Sequence, residues 1–439
     1  MSAELRKVSV WRELLLLMSM SLSVGGCDGE SSTDIPPRAG DQAGEQAGEQ
    51  AGEQAGEQAG EQAGEQAGER ALADLSAPAN AFGPAGVGYL SETFTYASPL
   101  ESSRELRLAL WYPAVAGSGS GAARYPLFTP DVAEADAEVM ITDRAPLLVY
   151  SHGAKVWPEM GSFMAEFFAS HGWVVASVAH TGDSLDNVAG DRPDNIYALR
   201  PLDLSAALDH LASLSPDHPL AGRAEVDRAI VSGHSFGGYT SFLSAGARFD
   251  MEYLRETRCV ERGGTLCESV EGTLGEVMSA GLREPRFVAA IPQSAGNYQM
   301  IRAGAGHVEI PTLMITATLD QACTEEGSNQ PYWEALTAPS SPLRDQHRRL
   351  SFLEAGHATF TVACIHLPGL EQDDGCGPDF TPARDAQALM LEYSLTFARA
   401  HVLGDPSALQ SINQIESSTA LSPLPDWAEW LRVTPQDTP

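Results

Sequence analysis

The fold of this chain is decided by the stretch Ala229-Ile230-Val231-Ser232-Gly233-His234-Ser235-Phe236-Gly237-Gly238. Its first residues are mostly apolar and predict a buried strand, and the apolar spacing from Tyr239 onward predicts a helix. Between them lies Gly-x-Ser-x-Gly, whose glycines let a strand and a helix pass closely and leave Ser235 exposed on a strained turn. The motif alone is weak in a chain with 41 glycines, so its weight comes from this position.

Apolar runs with strand character alternate with helical patterns along the chain. Strands are predicted at 106–111, 147–150, 173–178, 229–232, 287–291, 312–316 and 350–353. Helical spacing covers 163–170, 202–214, 239–247 and 386–398. The alternation predicts an α/β fold with one mostly parallel central sheet flanked by helices. Functional residues of such a sheet lie beyond the carboxyl ends of its strands.

Two residues follow strands in the order that a serine nucleophile needs. Asp320 comes shortly after the strand at 312–316, and His357 follows the strand at 350–353. A serine hydroxyl is a poor nucleophile at neutral pH, so a histidine must take its proton and a carboxylate must orient that histidine. We therefore expect Ser235, Asp320 and His357 to form a catalytic triad.

Other residues are alternatives for these roles. Asp373, Asp374 or Glu354 could replace Asp320 as the acid. The run Gly182-Asp183-Ser184-Leu185 matches the nucleophile motif of a different hydrolase class. That class places its nucleophile after the first strand, whereas two further predicted strands come before the strand that this run follows. Ser184 is therefore the weaker nucleophile, and we expect residues 180–183 to line the pocket mouth or to turn the chain.

A tetrahedral intermediate also needs backbone donors for its oxyanion. One is the N–H of Phe236, and the other should come from a loop after an earlier strand. Residues 151–154 follow the strand at 147–150, so we expect Ala154 to supply the second donor. The alternative is that 151–153 is only a strand-ending turn, which His152 supports by hydrogen bonds.

The first 78 residues do not have the composition of a globular domain. Three basic residues precede an apolar run at 14–24, and Val24-Gly25-Gly26-Cys27 resembles a bacterial lipobox. We expect a signal peptide at 1–26 and lipidation of Cys27, which would anchor an exported protein to a bacterial membrane. The alternative is an ordinary secretory signal that leaves Cys27 as a thiol.

Residues 39–70 are eight tetrapeptides of the kind Ala-Gly-Glu-Gln. A glycine in every repeat costs a helix about 1 kcal/mol each relative to alanine, and no repeat offers a large apolar side chain. We predict a disordered acidic tether at 27–78, a catalytic domain at 79–405 and a C-terminal tail at 406–439.

The net charge of −32 and the presence of only two lysines, Lys7 and Lys155, argue against a nucleic-acid partner. We expect a monomer. Five cysteines follow Cys27, and none has zinc-site spacing. In an oxidising compartment we expect disulfides, first between Cys259 and Cys267 across a turn, and as a weaker choice between Cys323 and Cys364, which leaves Cys376 over.

Several pieces together resemble the branch of the α/β-hydrolase superfamily that includes platelet-activating-factor acetylhydrolases and dienelactone-hydrolase-like proteins. The pieces are Leu110-Trp111-Tyr112-Pro113, Tyr150-Ser151-His152-Gly153, His171-Gly172-Trp173-Val174-Val175-Ala176, Arg200-Pro201-Leu202-Asp203, Gly233-His234-Ser235-Phe236-Gly237-Gly238 and Glu284-Pro285-Arg286. They span most of residues 85–400.

The resemblance implies an α/β-hydrolase fold and ester hydrolysis through an acyl-enzyme without a cofactor. Ser235, Asp320 and His357 match the family triad, and Ala154 and Phe236 match its oxyanion donors. A serine in place of cysteine argues against dienelactone hydrolysis itself. The segment 248–281 departs from the simplest members, either as a lid over the site or as a disulfide-bearing surface insertion.

We expect the substrate to be a small-molecule or lipid ester of short-chain, phospholipid-like or polyester type. The alternatives are a peptidase or acyltransferase with the same triad, and a catalytically silent lipoprotein that binds a partner.

Overall fold

A computed structural model describes residues 77–187, 192–367, 369–415 and 418–433. The expected signal peptide, Cys27 and all but the last two residues of the expected tether lie outside these residues. No helix in the described part of the chain combines the length and apolar character that a bilayer crossing requires.

One ten-stranded sheet forms the centre of the described structure, with the order β10-β9-β8-β7-β6-β4-β5-β2-β1-β3. Its strands are β1 (Gly86–Tyr96), β2 (Arg104–Ala114), β3 (Ala133–Ala135), β4 (Leu147–Ser151), β5 (Val174–Ala179), β6 (Ala229–His234), β7 (Phe287–Gln293), β8 (Leu313–Ala317), β9 (Arg348–Phe352) and β10 (Ala428–Arg432). Strands β4 to β9 are parallel, whereas β2 is antiparallel to β5, β1 to β2, and β10 to β9.

Helices cover both faces of the sheet. They are α1 (Ser162–Ser170), α2 (Ile196–Ala212), α3 (Phe236–Ser244), α4 (Met251–Tyr253), α5 (Cys259–Arg262), α6 (Thr265–Val270), α7 (Thr273–Ala280), α8 (Tyr298–Ile301), α9 (Gln330–Thr337), α10 (Ala363–His366), α11 (Ala383–Ala398) and α12 (Pro406–Asn413). Alternate strand residues enter two separate cores, as pleating requires: Leu108 packs in the core with α2, α3, α7 and α9, and Ala109 packs in the core with α1, α11 and α12.

The predicted fold class is confirmed, since the seven predicted strands are β2 and β4 to β9. The predicted helices correspond to α1, α2, α3 and α11. Strands β1, β3 and β10 were not predicted. The second half of β1 alternates between exposed and half-buried positions, and β10 is mostly half-buried, so neither forms the continuous apolar run of an inner strand. Residues 406–433, expected as a tail, include α12 and the edge strand β10.

One predicted disulfide is confirmed and the other is wrong. Cys259 is joined to Cys267, with Cα atoms 5.4 Å apart, inside the insertion at 248–281. Cys364 is joined to Cys376, not to Cys323, because the chain after α10 folds back and brings the Cα atoms of Cys364 and Cys376 to 4.8 Å. Cys323 is buried beside Asp320 instead.

Candidate active site

Ser235 lies on the sharp turn between the end of β6 and the start of α3. Its backbone has φ 57° and ψ −117°, a conformation that is costly for a residue with a side chain. Main-chain hydrogen bonds hold it there: its N–H donates to the Gln293 carbonyl (2.9 Å), and its carbonyl accepts from Gly238 (2.9 Å), Tyr239 (3.2 Å) and Gly296 (3.1 Å). The strain is thus supported by strand β7 and the loop that follows it.

The glycines of the motif are required by close approach of the backbone. A Cβ at Gly233 would lie 2.5 Å from the carbonyl oxygen of Ser151, and a Cβ at Gly237 would lie 1.8 Å from the same oxygen. Real side chains do not tolerate such distances. The sequence therefore specifies a tight crossing of β4, β6 and α3 at this point, and that crossing projects Ser235 beyond the carboxyl end of β6.

His357 is bound to the carboxylate that the sequence selects. Its Nδ1 lies 2.8 Å from Oδ2 of Asp320, and the other carboxylate oxygen accepts from the N–H of Cys323 at 2.6 Å. Burial raises the pKa of Asp320, but the interactions with His357 and Cys323 outweigh burial and leave the pKa below its ordinary value. An ionised Asp320 accepts the Nδ1 proton, so Nε2 of His357 is the atom that can take a proton.

Asp374 has a different task from the acid role considered for it. Its Oδ1 accepts from the backbone N–H of His357 (2.8 Å) and of Gln321 (3.1 Å), so it ties the loop of the histidine to the loop of Asp320. The other two alternative acids, Asp373 and Glu354, are exposed.

His234 supports the other side of the same histidine. Its Nε2 is 2.9 Å from the His357 carbonyl oxygen, and the two rings lie 4.4 Å apart. Burial is the main reason that the pKa of His234 falls to about 3, so the ring is neutral and donates to that carbonyl.

Ser235 and His357 line one cleft that is open to solvent. The lining residues are Gly153, Ala154, Val156, Met160, His234, Ser235, Ala322, His357, Ala358, Thr361, Ala363, Leu370 and Glu371. Most of these side chains are small or apolar. In the described part of the chain, the insertion at 248–281 contributes no lining residue, whereas Thr361, Ala363, Leu370 and Glu371 form one wall.

The two expected oxyanion donors belong to segments that adjoin Ser235. Ala154 lines the cleft, and its loop passes so close that a Cβ at Gly153 would lie 3.6 Å from the Cβ of Ser235. Phe236 is the first residue of α3, where a backbone N–H has no acceptor within the helix. Both segments therefore lie near the position where a negative charge would develop next to Ser235, and the donor role of the two N–H groups stays a prediction.

A buried cation, Arg200, contacts both of these segments. Its Nη2 donates to the carbonyl of His152 and, at 3.1 Å, to Oγ of Ser151, while its Cζ lies 4.5 Å above the ring of Phe236. Its Nη1 is bound to Asp183 at 2.6 Å. Burial lowers the pKa of Arg200 to about 10 against the opposing effect of Asp183, so the group is charged at neutral pH.

A second serine, histidine and aspartate are linked behind the cleft. Oγ of Ser151 lies 2.9 Å from Nε2 of His180, whose Nδ1 lies 2.8 Å from Oδ2 of Asp203. All three side chains are inaccessible to solvent and none lines the cleft. Burial lowers the pKa of His180, so its neutral ring donates to Asp203 and accepts from Ser151. This linkage fixes the end of β4 and cannot reach a substrate.

The backbone N–H of His180 donates to Nε2 of His152 at 3.1 Å, and Nδ1 of His152 lies 2.6 Å from the Gly153 carbonyl. These contacts match the supporting role considered for His152. Asp183 and Ser184, expected near the pocket mouth or as the weaker nucleophile, are fully buried.

Sequence reasoning missed Arg200 and Asp203 as supports of the site. One signal in the sequence could have found them. Both are charged residues at positions on the buried face of α2, and buried charges require partners.

One group of described side chains has the donor types of a metal site. Ligand atoms of Asp320, Cys323 and His357 lie within 4.8 Å of one another. The hydrogen bond between Nδ1 of His357 and Asp320 already uses two of the three groups. The group therefore fits an acid–histidine pair better than a metal centre.

No protein-family model matches the sequence, and no curated protein matches it. Among solved structures, a ferulic acid esterase from Streptomyces cinnamoneus is similar with a TM-score of 0.53 and 22% sequence identity, covering 79% of this chain and 96% of that chain. This similarity, the parallel central sheet and the turn at Ser235 indicate the same fold. This chain has the α/β-hydrolase fold. In this chain Ser235 lies on the turn after β6, Asp320 follows β8 and His357 follows β9. The chain order serine, acid, histidine is typical of that fold.

Proposed function

We propose that this chain is a serine hydrolase that cleaves carboxylic esters, with Ser235 as its nucleophile. The observation that carries the proposal is that Ser235, on a strained turn, and His357, bound to Asp320 at 2.8 Å, line the same cleft. The similarity to an esterase structure and the resemblance to the platelet-activating-factor acetylhydrolase branch agree with it.

The reaction proceeds in two halves. Nε2 of His357 takes the proton of Ser235 as Oγ attacks the ester carbonyl, and the N–H groups of Phe236 and Ala154 stabilise the oxyanion. The bond to the alcohol then breaks, and the alcohol leaves with the proton held by His357. Water attacks the acyl-enzyme with the same assistance and releases the acid, so Ser235 is restored.

The cleft limits the substrate class. Its apolar lining favours acyl or alcohol groups without strong hydration, as in short-chain, phospholipid-like, polyester or aromatic esters. A peptidase or acyltransferase would use the same three residues, and a binding lipoprotein would use none of them.

The test is a panel of p-nitrophenyl esters of graded acyl length, assayed beside matched peptide substrates with the wild type and Ser235→Ala. We expect ester hydrolysis that falls by at least about 10⁴-fold in Ser235→Ala. Cleavage of the peptides but not the esters would favour a peptidase. Equal rates with both proteins would remove Ser235 from the mechanism.

We also propose that the protein is exported and carries a lipid on Cys27. The disulfides Cys259–Cys267 and Cys364–Cys376 support an oxidising compartment. Metabolic labelling with a fatty acid should mark the wild type and not Cys27→Ser. Equal labelling of both proteins, or none of the wild type, would contradict the anchor.

A further inference from the structure

The wall of the cleft carries one carboxylate, Glu371. Among the lining residues of the described structure it is the acidic side chain, and no lysine or arginine is among them. The other ionisable lining groups are His234, which is neutral because burial lowers its pKa to about 3, and His357. A charge placed in an otherwise apolar cleft acts on any charged part of a substrate, because low polarity strengthens electrostatic interactions.

Glu371 is held in this position by a strained backbone. Its φ of 51° and ψ of 36° are left-handed values that glycine adopts freely and glutamate does not. Its carbonyl accepts from the N–H of Asp374 (3.1 Å) and of Cys376 (3.0 Å), and Cys376 is joined to Cys364. Strain of this kind persists only where surrounding structure enforces it, and it is typical of functional positions.

Glu371 lines the same cleft as the two groups proposed to react, Ser235 and His357. Burial raises the pKa of its carboxyl, Asp374 and Asp373 raise it further, and His357 lowers it. This effect of His357 agrees with the geometry, since Glu371 lines the same cleft as the imidazole proposed to take the proton from Ser235. A second carboxylate brought by a substrate would meet Glu371 without any cation in the lining to neutralise the pair.

We propose that Glu371 is a specificity-determining residue that makes the cleft favour esters bearing an ammonium group and disfavour esters bearing a carboxylate. This inference rests on the proposed ester hydrolysis and names the substrate charge that the same site selects. The disulfide and the hydrogen bonds to the Glu371 carbonyl hold the backbone of Glu371 in the wall of the cleft, so the selection is built into the folded enzyme.

The experiment uses three esters that share ethanol as the leaving group and a six-carbon acyl chain. They are ethyl hexanoate, ethyl 6-aminohexanoate and monoethyl adipate, which are neutral, cationic and anionic at neutral pH. Ethanol release gives kcat/KM for each ester with the wild type, Glu371→Gln and Asp373→Asn. Asp373→Asn is the matched control, because it also removes one negative charge. Asp373 lies two positions after Glu371, and its side chain is exposed and does not line the cleft.

We expect the wild type to prefer the cationic over the anionic ester, and Glu371→Gln to reduce that ratio about tenfold, the size of an electrostatic effect in a partly buried site. Asp373→Asn should keep the ratio within about twofold, as for an exposed charge. Glu371→Gly is the second variant, because glycine accepts φ 51° without strain and keeps the protein folded while removing the carboxylate.

Hydrolysis with an unchanged ratio in Glu371→Gln and Glu371→Gly would overturn this inference and leave the proposed function intact. An equal change in Asp373→Asn would also overturn it, since the selection would then come from the general negative charge of the protein. Failure of the wild type to release ethanol from any of the three esters, with no hydrolysis of p-nitrophenyl esters, would overturn both.

Discussion

Arg200 donates from Nη2 to the carbonyl oxygen of His152, so a fully buried cation holds the loop that carries Ala154. The same guanidinium lies over the ring of Phe236. Both expected oxyanion donors are therefore positioned from behind by one side chain. Its Nη1 is bound to Asp183, which neutralises the charge in the interior.

Arg200→Lys should lower kcat more than it raises KM. Lysine keeps the charge but has no planar fork to contact Asp183, Ser151 and His152 together. We expect kcat to fall about 10- to 100-fold, less than the roughly 10²- to 10³-fold loss found when an oxyanion donor itself is removed. Steady-state kinetics on a p-nitrophenyl ester checks this, with thermal unfolding as the control for folding. A folded Arg200→Lys protein with the wild-type kcat would remove Arg200 from this role.

Gly237→Ala should abolish the fold or severely destabilise it. Its Cβ would lie 1.8 Å from the Ser151 carbonyl oxygen, so β4 and α3 would have to separate. The cost should exceed about 4 kcal/mol, as for other severe core substitutions. Urea unfolding measures it against Gly272→Ala, an exposed glycine whose added Cβ meets one atom at 3.7 Å. Similar stabilities for the two variants would contradict the close crossing.

The two disulfides should differ in what their removal does. Replacing Cys364 and Cys376 by serine should cost about 2–3 kcal/mol of stability, as expected for a short closed loop. It should also lower kcat/KM, because the bridged segment forms a wall of the cleft. Replacing Cys259 and Cys267 should reduce stability alone, since that insertion contributes no lining residue in the described structure. Equal effects of the two replacements on kcat/KM would contradict the prediction that only the Cys364–Cys376 disulfide supports the cleft.

Glu166 should make the protein less stable as the pH rises. Burial raises its pKa from 4.5 to about 7, while the 2.7 Å hydrogen bond from Tyr125 acts in the opposite direction. A folded pKa above the unfolded value gives stability that is present below pH 4.5 and lost as the pH passes 7. We expect Glu166→Gln to gain about 2 kcal/mol over the wild type at pH 8 and little at pH 4. A stability difference that does not change with pH would show that Glu166 does not titrate in this way.

The inner strands and their attached residues were predictable because a parallel strand buried on both faces is a continuous apolar run. The positions of Ser235, Asp320 and His357 could be predicted for the same reason, because each residue comes just after such a run. The strands β1 and β10 were not predicted, because their exposed or half-buried positions interrupt the continuous apolar run.

The Cys364–Cys376 bridge and the tasks of Asp374, Arg200 and Glu371 depend on contacts between loops and helices far apart in sequence. Strand and helix periodicity carries no information on such contacts. The sequence therefore predicted the groups proposed to react better than the residues that position them.

The most direct test of the account is labelling with a fluorophosphonate probe followed by peptide mapping. The account predicts one adduct on Ser235 of the wild type, none on Ser235→Ala, and greatly slowed labelling of His357→Ala, because the hydroxyl needs the imidazole to become nucleophilic. An adduct on another serine, or a folded wild type that is not labelled at all, would contradict it.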